Sequence, residues 1–279
     1  MLVMQAAVAI GDAQKLAEMI RQDPAINVNM NQNGNEWTLL HYAREVDSRS
    51  AVIPLLLAHP DIDANVKNGY GSTPFYLACL NGRTPCVRLL LEDSRVNPNE
   101  PGNDRSTPLW CAAFGDHLDI IKWIASGREM DLGKPGDVYK TDAIGVAKEY
   151  RRTEVVTLLE RFKSNPGDTR YSMRVELGLL DELAAEMFAL VVFVSDGLLQ
   201  INDTKTTTPA ARFFNIARLL PLELQMVLCF RQVGSDKEII SGKDSEAAFK
   251  FLATRIEESG PPLIIPRLSL FHLLVVSVP

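Results

Sequence analysis

Three short stretches decide the fold of this chain: Thr38-Leu-Leu-His-Tyr-Ala43, Thr73-Pro-Phe-Tyr-Leu-Ala78 and Thr107-Pro-Leu-Trp-Cys-Ala112. Each begins with threonine and ends with alanine, and the threonines stand 35 and 34 residues apart. A period of this length is typical of stacked repeats, in which each unit packs only on its neighbours. The stretches therefore predict a solenoid in the first half of the chain.

Each stretch has the features of a helix start. A threonine hydroxyl can accept a hydrogen bond from the free amides of the first turn, and proline suits the first helical position because it has no N–H. Thr73-Pro74 and Thr107-Pro108 have both features, whereas leucine follows Thr38. A second helix is predicted from apolar pairs at equal distances after each threonine: Val52 and Leu55, Val87 and Leu90, Ile121 and Ile124. Segments rich in Asn and Asp follow at 26–29, 62–65 and 96–99 and predict turns.

With these residues, the chain resembles the ankyrin repeat family, whose unit is a turn followed by two antiparallel helices. The resemblance covers residues 2–163 and implies an all-α fold, an α-solenoid of five units. Two outer units are degenerate: one begins at Leu2, and the other at Thr141, where Asp142 replaces the proline. Asp47 and Asp116 stand where the family has a turn glycine, so those turns are expected to be strained or to differ in shape. We place the repeat domain at residues 1–165.

The resemblance also implies where a partner would bind. In ankyrin proteins the contacts line a concave groove, in the turn before the threonine and at the exposed end of the first helix. On this sequence the positions place Trp37, Tyr70 and Phe114 as aromatic anchors in neighbouring units, the usual make-up of a binding hot spot. The full set is Asn35, Trp37, Glu45, Tyr70, Ser72, Asn81, Asp104, Ser106, Phe114, Asp137, Lys140 and Lys148. Its acidic members Glu45 and Asp104 favour a partner with basic character.

Three other residues at one shared position are expected to connect repeats. His41 stands where the family has histidine, and Tyr76 and Trp110 replace that histidine in the next two units. We expect His41 to form hydrogen bonds between adjacent repeats, and the other two to pack between repeats.

Composition limits the classes of function. A net charge of −6 without a basic stripe argues against a nucleic-acid partner. The four cysteines, at 79, 86, 111 and 229, match no zinc spacing and are expected to be reduced and buried, which favours a location in the cytoplasm or nucleus. The histidines are isolated, and no phosphate-binding loop or nucleophile motif occurs. We therefore expect no metal, no cofactor and no enzymatic activity, and a protein as the partner.

The repeat period disappears after the breaker-rich segment 163–168, so residues 170–279 are predicted to form a separate helical C-terminal region. The pattern predicts helices from about Ser172 to Leu199, from Ala210 to about Val233 with an interruption at Pro221, and from Asp244 to Glu257. The end, 263–279, is apolar apart from Arg267 and His272, and its uncharged piece, Leu268 to Pro279, is too short to span a membrane on its own. A packed strand or helix, a membrane anchor and a gene-model artefact stay open for it.

One segment of this region leaves a second function open. Arg218-Leu-Leu-Pro-Leu-Glu-Leu-Gln-Met-Val-Leu-Cys-Phe230 resembles the opening of an F-box, the helical element that recruits a cullin-type ubiquitin ligase. The resemblance implies a substrate adaptor that docks the ligase near residues 219–230. Proline and glutamate are also ordinary first-turn residues, and Leu224, Val227 and Leu228 would then form a core face. An enzyme in the helical region is the third alternative.

Overall fold

The computed structural model describes residues 2–23, 26–30, 36–43, 47–127, 130–133, 141–196, 200–201, 216–232, 237, 239–240, 242–259, 263–264 and 275–277. The chain divides into two compact units, Met1–Met173 and Arg174–Pro279. The division lies beyond the predicted end of the repeat domain at residue 165, because one further helix packs on the last repeat. We call the units the repeat domain and the second domain.

The described residues of the repeat domain form five helix pairs, repeats 1 to 5, each with a first and a second helix. The pairs are α1 (Leu2–Ile10) with α2 (Ala13–Gln22), α3 (Leu39–Ala43) with α4 (Ile53–Ala58), α5 (Pro74–Leu80) with α6 (Thr84–Leu91), α7 (Pro108–Phe114) with α8 (Leu118–Ser126), and α9 (Ala143–Glu149) with α10 (Thr153–Ser164). First helices pack on the first helices of neighbouring repeats, as α5 does on α3 and α7. The solenoid predicted from the sequence is confirmed.

The helix starts follow the predicted capping chemistry in repeats 3 and 4. The Thr73 hydroxyl accepts from the Tyr76 amide at 3.1 Å, and the Thr107 hydroxyl accepts from the Trp110 amide at 3.2 Å. In repeat 5 the cap is Asp142, whose carboxylate accepts from the Gly145 amide at 2.6 Å. The prediction that Thr141 begins this unit was therefore wrong by one residue. Aspartate is as good a cap as threonine, so proline after threonine was not needed here.

The turn after the first helix needs a left-handed residue in most repeats. Gly11 and Gly82 have φ values of 75° and 69°, and Asp116 and Arg151 take the same conformation at 60° and 56°. Asp116 thus keeps the turn shape that glycine would give, in a left-handed conformation that strains a residue with a side chain, so strain is the expected outcome that occurs here. Asp47 does differ, because it opens a 3₁₀ helix, Asp47–Val52, that leads into α4.

The apolar positions predicted for the second helices form the centre of the repeat core. Val52, Val87, Leu90, Ile121 and Ile124 are buried, and Leu55 is half-buried against them. All four cysteines are free and buried, as expected.

Asparagine side chains join successive repeats beyond the second helices. Asn65 donates from its Nδ2 to the Arg95 carbonyl at 2.7 Å, and its Oδ1 accepts from the Asn97 amide at 2.7 Å. Asn29 does the same one repeat earlier with the carbonyl of Asp61 and the amide of Asp63. These segments were predicted as turns only, and the structure shows that they also tie repeats together.

A final helix, α11 (Pro166–Glu176), completes the C-terminal end of the repeat domain. Thr169 and Met173 are buried there, and Arg170 donates from Nε to the Gly127 carbonyl at 2.7 Å. The prediction of one helix from Ser172 to Leu199 was wrong, because α11 ends at Glu176 and a new helix begins after Gly178. Gly178 has a φ of 72°, a conformation that glycine adopts without cost and that no helix interior contains.

The second domain is built on that new helix, α12 (Leu179–Ser195), on which α13 (Leu222–Gln232) and α14 (Gly242–Ser259) pack. Strands β1 (Gln200–Ile201), β2 (Leu263–Ile264) and β3 (Val275–Ser277) form a small antiparallel sheet in the order β1-β3-β2. The helical class expected from the sequence is confirmed, and these short strands are added to it. Helix α14 contains the predicted Asp244–Glu257, and most of 263–279 lies outside the described residues. No helix in the described part of the chain is long and apolar enough to cross a membrane.

Candidate protein-binding surface

The residue at the histidine position of repeats 2, 3 and 4 reaches the next repeat in every case. His41 Nε2 lies 3.0 Å from the Ser72 carbonyl oxygen, the Tyr76 hydroxyl 2.7 Å from the Ser106 hydroxyl, and Trp110 Nε1 3.4 Å from the Thr141 hydroxyl. The expected connection between repeats is confirmed. These side chains are buried and so belong to the scaffold rather than to a binding surface.

The scaffold holds the turns before the first helices in a fixed shape. In repeat 3 the Asn68 side-chain oxygen accepts from the backbone amides of Tyr70 and Ser72, both at 3.0 Å, and the Asn68 backbone N–H donates to the Ser72 carbonyl at 3.1 Å. Gly102 and Ser106 form the same backbone bond in repeat 4. We call the residues just before each cap the turn tips. At these tips Tyr70 projects as an exposed side chain.

The first helices are buried along almost their whole length in repeats 3 and 4. Pro74–Cys79 and Pro108–Ala113 are buried, so exposure begins only at the last residue of each helix. At these helix ends Leu80, Phe114 and Tyr150 are 40%, 36% and 48% exposed, and Tyr70 at the turn tip is 61% exposed. We call the ends of the first helices with their C-caps the helix-end border.

Aromatic contacts connect the helix-end border of repeats 4 and 5. The Phe114 ring stacks on Trp110 with centroids 5.5 Å apart and an angle of 7° between planes. Its edge meets Tyr150, with centroids 4.9 Å apart and planes at 75°. Phe114 is therefore held between a buried ring and an exposed one, which fixes its orientation before any partner arrives.

The predicted contact residues fall into three groups. Tyr70, Asn81, Phe114 and Lys148 are exposed, and Asp104 is half-buried. Ser72 and Ser106 are buried and hydrogen-bonded within the turns, and Trp37 is half-buried against His41 and Tyr42. Asn35, Glu45, Asp137 and Lys140 lie outside the described residues. The structure thus brings Tyr70, Asn81 and Phe114 onto exposed positions of two adjacent repeats.

Sequence reasoning missed Leu80 and Tyr150. Leu80 occupies the same helix-end position in repeat 3 as Phe114 in repeat 4, so the repeat alignment could have found it. Tyr150 is the C-cap of α9, as Asn81 is of α5. Lys148 was predicted instead, because repeat 5 was taken to start at Thr141 and Lys148 follows it at the distance at which Phe114 follows Thr107. Lys148 forms an ion pair with Glu160 at 2.7 Å.

The titratable groups near this surface serve the fold. Burial raises the pKa of the Tyr76 phenol, so its hydroxyl stays protonated and can donate to Ser106. Lys67 pairs with Glu100 at 2.7 Å across the turn tips of repeats 3 and 4, and Arg152 lies 3.4 Å from Asp116. Within the described residues, no group of three or more His, Cys, Asp or Glu side chains could hold a metal ion.

Comparison with known proteins identifies the family to which the repeats belong. A family model of ankyrin repeats, in three copies, matches residues 3–101 and again residues 46–135. No curated protein matches the chain. The matched residues span the first four helix pairs, including the three stretches that set the period and the bonds that join their repeats. This chain is an ankyrin repeat protein, and its repeats form a protein–protein interaction module.

Proposed function

We propose that the repeat domain binds a protein partner along a groove bordered by the turn tips and the helix-end border. The observation that carries the proposal is the exposure of Tyr70, Leu80, Phe114 and Tyr150 on three consecutive repeats. Large apolar and aromatic side chains with polar surroundings are the residues that dominate protein interfaces. The proposed role is non-catalytic, as a scaffold or an inhibitor that acts by occupying its partner.

The rigidity of these side chains supports the proposal. Phe114 is stacked on Trp110, and the Tyr70 backbone amide is bonded to Asn68, so the Phe114 ring and the Tyr70 backbone do not have to be ordered by the partner. A pre-ordered contact loses less conformational entropy on association, which leaves more of the contact energy for affinity. Asn81 is exposed beside Leu80 and adds a polar contact to this border.

Some predicted contacts enter the proposal and others do not. Ser72, Ser106 and Trp37 support the surface from below, because their side chains are largely buried. Asn35, Glu45 and Lys140 stay proposed contacts on the basis of their sequence positions. Lys148 keeps its place as an exposed contact at the edge, where its pairing with Glu160 limits its contribution.

The test compares two double variants of the intact chain. Tyr70→Ala with Phe114→Ala removes one anchor from each border and is expected to weaken partner binding by about 2 kcal/mol or more. Tyr171→Ala with Val175→Ala is the control, because both side chains are exposed on α11 and belong to neither border. Partners are recovered from cells by pull-down with quantitative mass spectrometry, and their affinities are then measured with purified protein. Equal recovery by both folded variants would contradict the groove.

The intracellular location stays part of this proposal. Four free, buried thiols suit a reducing compartment, the cytoplasm or the nucleus. Fractionation of cells that express the tagged chain tests it.

A second candidate function is favoured by the surface of α13. Leu219, Leu222 and Leu224 are 78%, 55% and 51% exposed, whereas the buried side of the helix is formed by Gln225, Cys229 and Phe230. The leucines of the F-box-like segment are thus available to another protein, which supports a role as a ubiquitin-ligase adaptor. In this role the groove would hold the protein to be degraded.

The adaptor role is tested separately from the groove. Leu219→Ala, Leu222→Ala and Leu224→Ala are combined in one variant, which spares Leu228 because that side chain packs against the core of the second domain. Ile239→Ala, at another exposed apolar residue of the second domain, is the control. Loss of cullin-ligase subunits from the triple variant alone would support the adaptor. Their absence from the intact chain would leave α13 without this role.

A further inference from the structure

The turn tips of repeats 3 and 4 lie side by side. The Asn103 side chain occupies the space that a Cβ on Gly71 would fill, so these two residues are in direct contact. Tyr70 and Asp104 are their immediate neighbours in the chain. An exposed aromatic residue and a half-buried carboxylate residue therefore lie on adjacent turn tips, one from each repeat.

Only one side of the Asp104 carboxylate is used inside the protein. Its Oδ1 accepts from the Ser106 amide at 3.1 Å and from the Ser106 hydroxyl at 2.6 Å. Within the described residues, no group donates to its Oδ2. Asp104 is half-buried, so that this oxygen stays within reach of a partner.

A buried tyrosine sets the position of this carboxylate. The Ser106 hydroxyl has one proton and gives it to Asp104, so the Tyr76 hydroxyl, 2.7 Å away, is the donor to Ser106. The Tyr76 ring also supports the turn backbone, since a Cβ on Gly102 would lie 3.2 Å from its Cζ. Tyr76 in the first helix of repeat 3 thus donates to Ser106, and Ser106 donates to Asp104 at the turn tip of repeat 4.

Among the residues that the structure describes, the two cations nearest to Asp104 in the sequence and across the tips have other contacts. Lys67 is paired with Glu100 at 2.7 Å across the same two tips. Arg105, the next residue, has its own contacts within the protein. A carboxylate oxygen beside an aromatic face is the combination that attracts a basic side chain, by a charge-assisted hydrogen bond and by cation–π attraction.

We propose that Tyr70 and Asp104 together bind one lysine or arginine side chain of the protein partner, and that Tyr76 positions Asp104 for it. The inference rests on the proposed groove and states which kind of side chain, a basic one, binds at one of its subsites. Tyr76 acts through Ser106 and does not touch the partner.

The probe is a set of peptides of twelve random residues, selected by phage display on the intact chain. Selected peptides are expected to share a Lys or Arg at one position. Asp104→Asn can keep the hydrogen bonds from Ser106 and removes the charge, so it is expected to lower peptide affinity about tenfold. Replacing the shared basic residue of the peptide by Gln is expected to lower affinity for the intact chain equally, with no further loss for Asp104→Asn. Asp119→Asn, an exposed carboxylate on the second helix of repeat 4, is the matched control.

The positioning role has its own readout. Tyr76→Phe keeps the ring and removes the donor, and is expected to lower affinity about threefold in the intact chain. In the Asp104→Asn background the same change is expected to have no effect on affinity. A merely structural Tyr76 would reduce affinity equally in both backgrounds. Thermal unfolding of each variant shows that it is folded.

The outcomes separate the subsite from the groove. Peptides that lose affinity with Phe114→Ala, yet bind Asp104→Asn as well as the intact chain, overturn the basic subsite and leave the groove. Peptides that are insensitive to Tyr70→Ala, Phe114→Ala and Asp104→Asn overturn both. A selection that yields no binding peptide counts against both as well.

Discussion

The repeat domain and the second domain are both helical, yet they distribute their buried side chains in opposite ways. In the repeat domain the same position is buried once per unit, at Val52, Val87 and Ile121, and no helix is central. In the second domain α12 is buried on nearly all sides, from Leu180 to Val194, and the other helices pack on it. Periodic burial distributes the core over equivalent positions in every repeat. Central burial makes the core of the second domain depend on one helix, α12.

The comparison is tested most strongly by equivalent leucine truncations in the two domains. Leu90 of α6 and Leu190 of α12 are both fully buried, and truncation of either to alanine is expected to cost about 2–5 kcal/mol. We expect Leu190→Ala to raise amide exchange throughout the second domain, because α12 contacts both other helices. Leu90→Ala should raise exchange mainly in repeats 2 to 4, since repeats contact only their neighbours.

The measurement is hydrogen–deuterium exchange with mass spectrometry on the full chain, with Leu80→Ala as a control at an exposed leucine. Exchange that spreads over all five repeats in Leu90→Ala would show that the repeat domain unfolds as one unit. The contrast between periodic and central burial would then fail.

A second effect concerns the response of each domain to alkaline pH. Burial raises the pKa of Cys111 to about 11, that of Cys229 to about 12, and that of Cys79 well above its usual value. The unfolded thiols release their protons near pH 9 while the folded ones keep theirs. Stability is therefore complete below pH 9 and falls as the pH rises toward the folded values. Each thiol contributes about 1.4 kcal/mol per pH unit in this window.

Because at least two thiols of the repeat domain, Cys79 and Cys111, have raised pKa values and Cys229 has one in the second domain, the repeat domain should lose stability more steeply. Unfolding of each domain by urea is monitored by hydrogen exchange at pH 8.5 and at pH 10. The change in the urea midpoint between the two pH values gives the pH dependence of stability for each domain. Cys79→Ala with Cys111→Ala should flatten the slope of the repeat domain and leave that of the second domain unchanged. An unchanged slope in both would remove the thiols as its cause.

The smallest effect tests whether repeat positions are truly equivalent. Arg151 has a φ of 56° at the place where Gly82 has 69°, so Arg151→Gly is expected to stabilise repeat 5 by about 0.5–1 kcal/mol. Gly82→Ala, the reverse change, should destabilise repeat 3, because the new Cβ would also lie 2.6 Å from His117 Cε1. Denaturant unfolding measures both. Stabilisation by the alanine would mean that the two turns are not equivalent.

The sequence was sufficient to predict those parts of the fold that recur with the spacing of the three threonines. The caps at Thr73 and Thr107 and the burial of Val87 and Ile121 followed from spacing and side-chain chemistry alone. The break at Gly178 was missed, because its apolar neighbours fit one long helix and only the left-handed backbone reveals two. The strands at 200–201, 263–264 and 275–277 pair across long separations, and no local pattern contains such pairing.

For the surface, the sequence could identify exposed positions only as far as the alignment of repeats was right. Tyr70, Asn81 and Phe114 were found at their positions. Lys148 was chosen instead of Tyr150, two residues further on, because repeat 5 was started one residue early and at the helix-end offset of Phe114 rather than the C-cap offset of Asn81. Ser72 and Ser106 were chosen from position alone. Their burial depends on bonds from His41 and Tyr76 in the preceding repeat, and spacing cannot show such bonds.

Those same bonds determine the order in which the repeats can follow one another. His41 donates to a backbone carbonyl, an acceptor that any successor offers, so repeat 2 could precede almost any unit. Tyr76 and Trp110 each need a hydroxyl at the residue just before the cap of the next repeat, which Ser106 and Thr141 supply. A shuffled array that put repeat 2, with Trp37 at this place, after repeat 3 or repeat 4 would bury a polar group without its acceptor. The side chain at the histidine position of repeats 3 and 4 therefore restricts which repeat can follow each of them.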